Sequence, residues 1–245
     1  GRYLNGISVI DPSNDLCKKV YQLAKAHNIP DEAITYIDPT NENTPSINPM
    51  RGPVDKVAEV FAQVIAGLSQ SQGGADFFAQ AQRNHLKQFI YLLKEHDPEE
   101  DVTFDMLLDM YNNPQVAHEK HVKLKNRFPK DMSREAFKSR DEYNYWQILK
   151  GVDEWFDLTI VPKTERFGDI AYDENNNVIY MDAEAEYVKG LRNILNDMGA
   201  NPLIRRVMFG KSEFDFDRHL AIGGLLLVNS SKGQLEELSK VLGKI

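Results

Sequence analysis

The sequence predicts an α/β protein in which a parallel sheet is interrupted by a large all-helical insertion. Two short apolar strands, each ending in Asp-Pro, open the chain, and a third apolar strand appears only near its end. Between them lie about 160 residues dominated by the 3.6-residue hydrophobic period of helices. A strand, a helix and a strand, then helices, then a strand and a helix, are better explained by one interrupted sheet than by tandem domains.

The first strand is Ile7-Ser8-Val9-Ile10-Asp11, stopped by Pro12, because proline restricts the residue before it. A helix is expected from about Asp15 to His27, followed by a second strand over residues 33–39 with the same Asp38-Pro39 ending. Strand, helix and strand form a βαβ unit with a parallel pair. Residues 40–53 are rich in Asn, Pro and Thr and read as a loop.

Helical texture starts at Pro53. Val54, Val57, Phe61, Ile65 and Leu68 form one amphipathic stripe, which Gly73-Gly74 breaks. Leu86, Phe89, Ile90 and Leu93 carry the next helix, which runs out at Asp97-Pro98. Further helices are expected over 103–112, 114–128 and 133–157. Asn113 caps the second of these, with Pro114 at its first position, where the missing N–H costs nothing. Ser133 is the candidate cap of the third. That helix should bury Tyr145, Ile148, Leu149, Val152, Trp155 and Phe156. Residues 158–182 lose the helical period and suggest a small hairpin around Asp173-Glu174-Asn175-Asn176-Asn177. Helices resume over 183–198, closed by Gly199, and over 202–209. Gly223-Gly224-Leu225-Leu226-Leu227-Val228-Asn229 reads as a third, buried strand, with a final helix beginning near Gly233.

Composition narrows the function classes. The 245 residues carry a net charge of −8, so any contact with DNA or acidic lipid must be local. A single cysteine, Cys17, rules out an intrachain disulfide and suits a reducing compartment as a buried spectator. No apolar run approaches the ~18 residues needed to span a bilayer, and no signal peptide is visible, so the chain reads as a cytoplasmic segment. Its abrupt start at Gly1 and its end at Ile245, inside an expected helix, suggest a piece of a longer protein.

No phosphate-binding loop is present. Gly210-Lys211-Ser212 offers only its tail, because Arg205 stands where the leading glycine belongs and the upstream segment reads as helix. Leu238 spoils the match at Gly243-Lys244, and no apolar strand ends in Asp-Glu. The chain alone is not expected to hydrolyse ATP, and no cofactor is assigned to it. The polar strand ends are Asp11, Asp38 and Asn229, which a parallel sheet would gather at its carboxyl edge, where nucleotides bind. These three are the candidate cofactor-binding residues. The competing reading is that they cap helices and start turns.

Other candidates are weaker. His118 and His121 have a zinc-compatible spacing, but His121 shares a face with Ala117, Leu124 and Phe128. Asp173, Asn175, Asn177 and Glu184 fit a calcium loop only without its glycine, since Val178 holds that place. Asp215 and Asp217 suit a helix cap. No metal site is assigned. Residues 95–109 hold seven acids and no base, whereas residues 118–140 carry a net of +5. Lys120, Lys123 and Arg127 line one helical face and are the candidate partner-binding residues.

The order of several segments resembles the type IV secretion coupling proteins, the conjugative DNA-transfer ATPases. VIDPSND at 9–15, ITYIDP at 34–39 and INPM at 47–50 are similar to the stretch after the Walker A helix. EYVKGLRNIL at 186–195, NPLIRRV at 201–207, FDFD at 214–217 and GGLLLVNSSKG at 223–233 are similar to the stretch before Walker B. The resemblance implies a partial RecA-like motor in two pieces, residues 1–53 and 213–245, around an all-α domain over residues 54–212 that receives substrate. It implies that the complete protein is a membrane-anchored homohexamer using ATP and Mg. Its implied partners are relaxase or relaxosome proteins, DNA and secretion-channel proteins. Walker A, Walker B and the anchor are absent from these residues. The alternatives are a non-catalytic helical adaptor that binds proteins through its charged faces, or a metalloenzyme using the histidine pair.

Overall fold

A computed structural model describes residues 6–69 and 76–230. The break at Gly73-Gly74 and the helix expected near Gly233 lie outside these residues. The fold is mixed α/β. Strands β1 (Ile7–Asp11), β2 (Ile34–Ile37) and β5 (Leu225–Asn229) form a parallel sheet in the order β1-β5-β2. The strands expected at the two ends of the chain therefore lie side by side. β1 and β2 are parallel as expected, but they are not neighbours. β5 pairs with both, Ile7 opposite Leu225 on one side and Ile34 opposite Leu225 on the other.

The central place of β5 follows from its side chains. All five of its residues are buried, so neither face reads as polar, unlike β1 with Ser8 and β2 with Thr35. Alternation sends the two faces into different cores. Leu225 and Leu227 pack with Cys17 and Ala24 of α1 (Asp15–Ala26), together with Val9 and Tyr36. Leu226 and Val228, with Ile37, belong to the core of the helices. Cys17 is fully buried, its Sγ 3.6 Å from the Val228 carbonyl. A spectator role fits that position.

The residues between β2 and β5 form helices α2 (Val54–Ser69), α3 (Asp76–Glu95), α4 (Phe104–Asn112), α5 (Pro114–Arg127), α6 (Arg140–Thr159), α7 (Lys189–Ala200), α8 (Pro202–Met208) and α9 (Phe216–Ile222). A hairpin of β3 (Ile160–Pro162) and β4 (Tyr180–Asp182) interrupts them. Val57, Phe61 and Ile65 of α2 and Leu86, Phe89, Ile90 and Leu93 of α3 are buried on the expected stripes. Asn113 caps α5 by accepting the Gln115 amide at 3.1 Å.

Several boundaries differ from the sequence reading, those of α6 and α7 the most. Residues 133–139 are not α-helical: Ser133 precedes a short 3-10 turn, and the helix starts after Ser139, which accepts the Glu142 amide. Residues 183–188 form turns, and α7 runs past Gly199 to Ala200, where Asn201 ends it and caps α8. Pro202 supplies the stop, since it cannot continue the hydrogen-bond ladder of α7 yet suits the first turn of α8. Ile148 is 53% exposed, because the buried stripe of α6 is Leu149, Val152 and Phe156 and Ile148 lies on its flank.

Gly224 is a place where a side chain cannot fit. An added Cβ would sit 2.8 Å from His219 Nδ1 and 3.3 Å from the carbonyl oxygens of Ala33 and His219. Two of those neighbours are backbone and cannot swing away. Gly224→Ala is expected to cost about 1–3 kcal/mol as an overpacked site. A urea titration giving an unchanged midpoint would contradict this.

Candidate functional site

The carboxyl edge of the sheet gathers the three polar strand ends. Asp11 lies opposite Asn229 in the ladder, and the Asn229 Nδ2 group donates to Asp38 Oδ1 at 2.9 Å. Asn229 is fully buried. The sequence expectation of a shared edge therefore describes where these residues stand, but their hydrogen bonds divide them by task.

Asp11 is a structural cap. Its Oδ1 accepts from the Ser13 amide at 3.0 Å and the Ser13 hydroxyl at 2.9 Å. Its Oδ2 accepts from the amides of Leu16 at 2.7 Å and Cys17 at 3.2 Å. Two donors on each oxygen fill the carboxylate, whose acceptor capacity is about four sites. Burial alone would push this carboxyl up. The hydrogen bonds from Ser13, Cys17 and Leu16 outweigh burial and hold it below the ordinary carboxylate range. No lone pair remains to hold a magnesium-bound water, so Asp11 orients α1 rather than a ligand.

Asp38 Oδ1 also accepts from the amide and hydroxyl of Thr40, at 3.1 and 2.8 Å, which shapes the turn leaving β2. Tyr36 reaches across the same edge to donate to Asn14 Oδ1 at 2.6 Å. Burial pushes its phenol up to about 12, with the Asp38 charge adding to the effect. It therefore remains protonated and serves as a fixed donor.

From this edge the chain enters and leaves the helices through two segments that clasp each other. Ile47 N–H donates to the Val207 carbonyl at 2.7 Å, Glu213 N–H to Ser46 O at 3.0 Å, and Arg206 to Pro39 O at 2.6 Å. Arg51 pairs with Asp215 at 3.2 Å. Beside the clasp, Arg51, Lys56, Val57, Phe214 and Asp217 help to line a cavity of about 470 Å³. Gly210-Lys211-Ser212 belongs to this clasp. It follows a helix, not a strand, and Ser212 Oγ donates to the Phe214 carbonyl. Asp215 caps α9 by accepting the Arg218 amide.

The charged face expected on α5 is mostly turned inward. Lys120 is only 9% exposed, its ammonium 3.0 Å from His96 Nε2 and 3.4 Å from Glu100 Oε2. Arg127 is half-buried, donates to the Tyr145 hydroxyl and lies over the Trp146 ring. Of the three, Lys123 alone is exposed. The neighbouring acids are engaged as well: Glu95 accepts from Tyr145, and Asp105 pairs with Arg205. One pair, Lys120 with Glu100, joins the two runs of opposite charge, and other engaged members bind residues outside them, such as Asp105 with Arg205 and Lys125 with Asp157.

The two histidines of α5 have different partners. His118 stacks on Tyr180 with ring centroids 3.6 Å apart, whereas His121 is buried and bonds Asp153 at 2.6 Å. His121, Asp153 and Asp157 bring three possible ligand atoms within 4.8 Å of one another. The Lys125 ammonium, 2.7 Å from Asp157 and 3.6 Å from Asp153, already balances those acids. Asp173 accepts the amides of Asn175 and Asn177, each at 2.8 Å, and so builds the hairpin turn.

His85 escaped the sequence reading. It is fully buried between the Tyr111 hydroxyl at 3.1 Å and Asp182 Oδ2 at 3.0 Å, against the rings of Phe89 and Trp155. No local spacing links positions 85, 111 and 182, so only folding could reveal the group.

Among the described residues no helix is long and apolar enough to cross a membrane. No family model, no curated protein and no solved structure matches the chain.

Proposed function

We propose that this chain is part of a DNA-translocating ATPase of the coupling-protein type, with the helices between β2 and β5 receiving the substrate. In this reading the sheet is a partial RecA-like motor, the helices are its all-α insertion, and relaxase-bound DNA is the cargo. The observation that carries it is the sheet order β1-β5-β2. A strand that returns after the helices to lie between the first two supports reading the helices as an excursion from one sheet.

Ligands of parallel α/β sheets bind at the carboxyl edge. Asp38 and Asn229 are the rim residues in this reading, and Asp11 acts behind them by fixing α1. ATP and Mg, membrane anchorage and a hexameric ring belong to the complete protein and are part of the proposal.

The test is a protein extended through the adjoining coding sequence. The reading requires a glycine-rich GK[ST] loop on one side and an Asp-Glu strand on the other, together with ATP hydrolysis stimulated by DNA. An extended protein that lacked both motifs, or that neither bound nor hydrolysed ATP, would overturn it.

A further inference from the structure

A second cavity, of about 340 Å³, lies where the β3–β4 hairpin meets α4, α5 and α7. That is toward the small end of small-molecule sites, which run from roughly 300 to 1,000 Å³. Its walls are largely apolar, with Ile179, Tyr180, Met181 and Val188 among them. Two cations also line it, Lys163 and Arg192. Among the described residues neither cation has an ion pair or a side-chain hydrogen bond. Arg192 is half-buried, and a guanidinium partly withdrawn from water without a counter-ion is costly.

The acid in the wall does not fill that role. Asp182 Oδ2 holds His85 Nε2, and its Oδ1 accepts the Glu184 amide at 2.8 Å. Both ring nitrogens of His85 are therefore engaged, Nε2 with Asp182 and Nδ1 with the Tyr111 hydroxyl. Burial pushes the Tyr111 phenol well up, which keeps that hydroxyl protonated. Among the described residues no ion pair joins Asp182 to Lys163 or Arg192, and the His85 group engages Asp182 beside the Glu184 amide, one partner on each oxygen. His85 holds Tyr111 and Asp182 rigidly in the cavity wall while leaving both cations uncommitted.

We propose that this cavity binds a small carboxylic acid with an apolar body, its carboxylate held by Arg192 and Lys163. The apolar body lies against Tyr180, Ile179 and Val188. Guanidinium and carboxylate match as paired donors and acceptors, while the apolar walls add contact area for a ligand with an apolar body that a bare inorganic anion cannot use. This site is separate from the sheet edge and does not depend on the motor reading.

Phenylacetate is a suitable probe, with phenylacetamide as the uncharged control and inorganic phosphate as the control for charge alone. Calorimetry and amide NMR shifts around Met181, Val188 and Arg192 should report phenylacetate binding. The amide should bind about tenfold more weakly, in line with loss of a charge-assisted pair. Arg192→Gln and Lys163→Gln, whose side chains have no ion pair or hydrogen bond among the described residues, should retain the fold by circular dichroism and weaken phenylacetate by about tenfold and threefold, respectively. Three results would overturn the proposal: no phenylacetate binding at millimolar concentration, equal binding of the amide or of phosphate, or unchanged affinity in Arg192→Gln.

Discussion

Replacing Phe89 with alanine is expected to destabilise the protein by about 3–5 kcal/mol, the cost of emptying a large aromatic site in a packed core. Phe89 is 1% exposed, and its ring lies 4.4 Å from Tyr111, 4.5 Å from His85 and 5.4 Å from Phe156 between centroids. Removing it deprives α3, α4 and α6 of a common neighbour and leaves the buried His85 without its stacking partner. Urea unfolding followed by tryptophan fluorescence should show the loss directly, because Trp155 packs beside the same rings. Leu158→Ala is the control. Leu158 is 78% exposed, so its truncation should stay within about 0.5 kcal/mol of the parent. Equal effects from the two substitutions would mean that the helical core is not built around Phe89.

Asp11→Ala is expected to cost about 2–3 kcal/mol, since it strands the amides of Ser13, Leu16 and Cys17 at the start of α1. Asp11→Asn should cost less, because the amide oxygen can still accept from two of these donors. The pH dependence has a definite sign. The folded-state pKa of Asp11 is depressed relative to the unfolded chain, so this stabilisation is fully present above the unfolded value of about 4. It is lost as the pH falls through the lower folded value. The stability difference between parent and Asp11→Asn should therefore narrow in acid. A difference that stayed constant down to the acid transition would show that the cap does not act through its charge.

Asp11 also shows where sequence reasoning reached its limit at the candidate site. The placement of Asp11, Asp38 and Asn229 on one edge was readable, because each ends an apolar run and parallel strands align such ends. Which of them could hold a ligand was not readable. That depended on Ser13, Leu16 and Cys17 filling the Asp11 oxygens, and on Asn229 reaching Asp38 across 191 positions. Lys120 is a similar case. Periodicity placed it on a face with Lys123 and Arg127, but the depth of that face was set by where α3 and the residues after it lay down. His96 and Glu100 meet Lys120 only in the folded chain.

Local chemistry determined the elements themselves. The Asp-Pro strand ends, the Asn113-Pro114 helix start, the stripes of α2 and α3 and the unbroken apolar run of β5 all act within a few residues, so they are legible without the fold. Ser133 and Gly199 misled for the complementary reason. Each resembles a terminus locally, and neighbouring signals, Ser139 before α6 and Pro202 after Asn201, prevailed. Tertiary structure alone decided that β5 enters between β1 and β2, that Lys120 turns inward to His96 and Glu100, and that His85 joins Tyr111 to Asp182. These are contacts between residues far apart in the chain, and their energies depend on burial that no local pattern encodes.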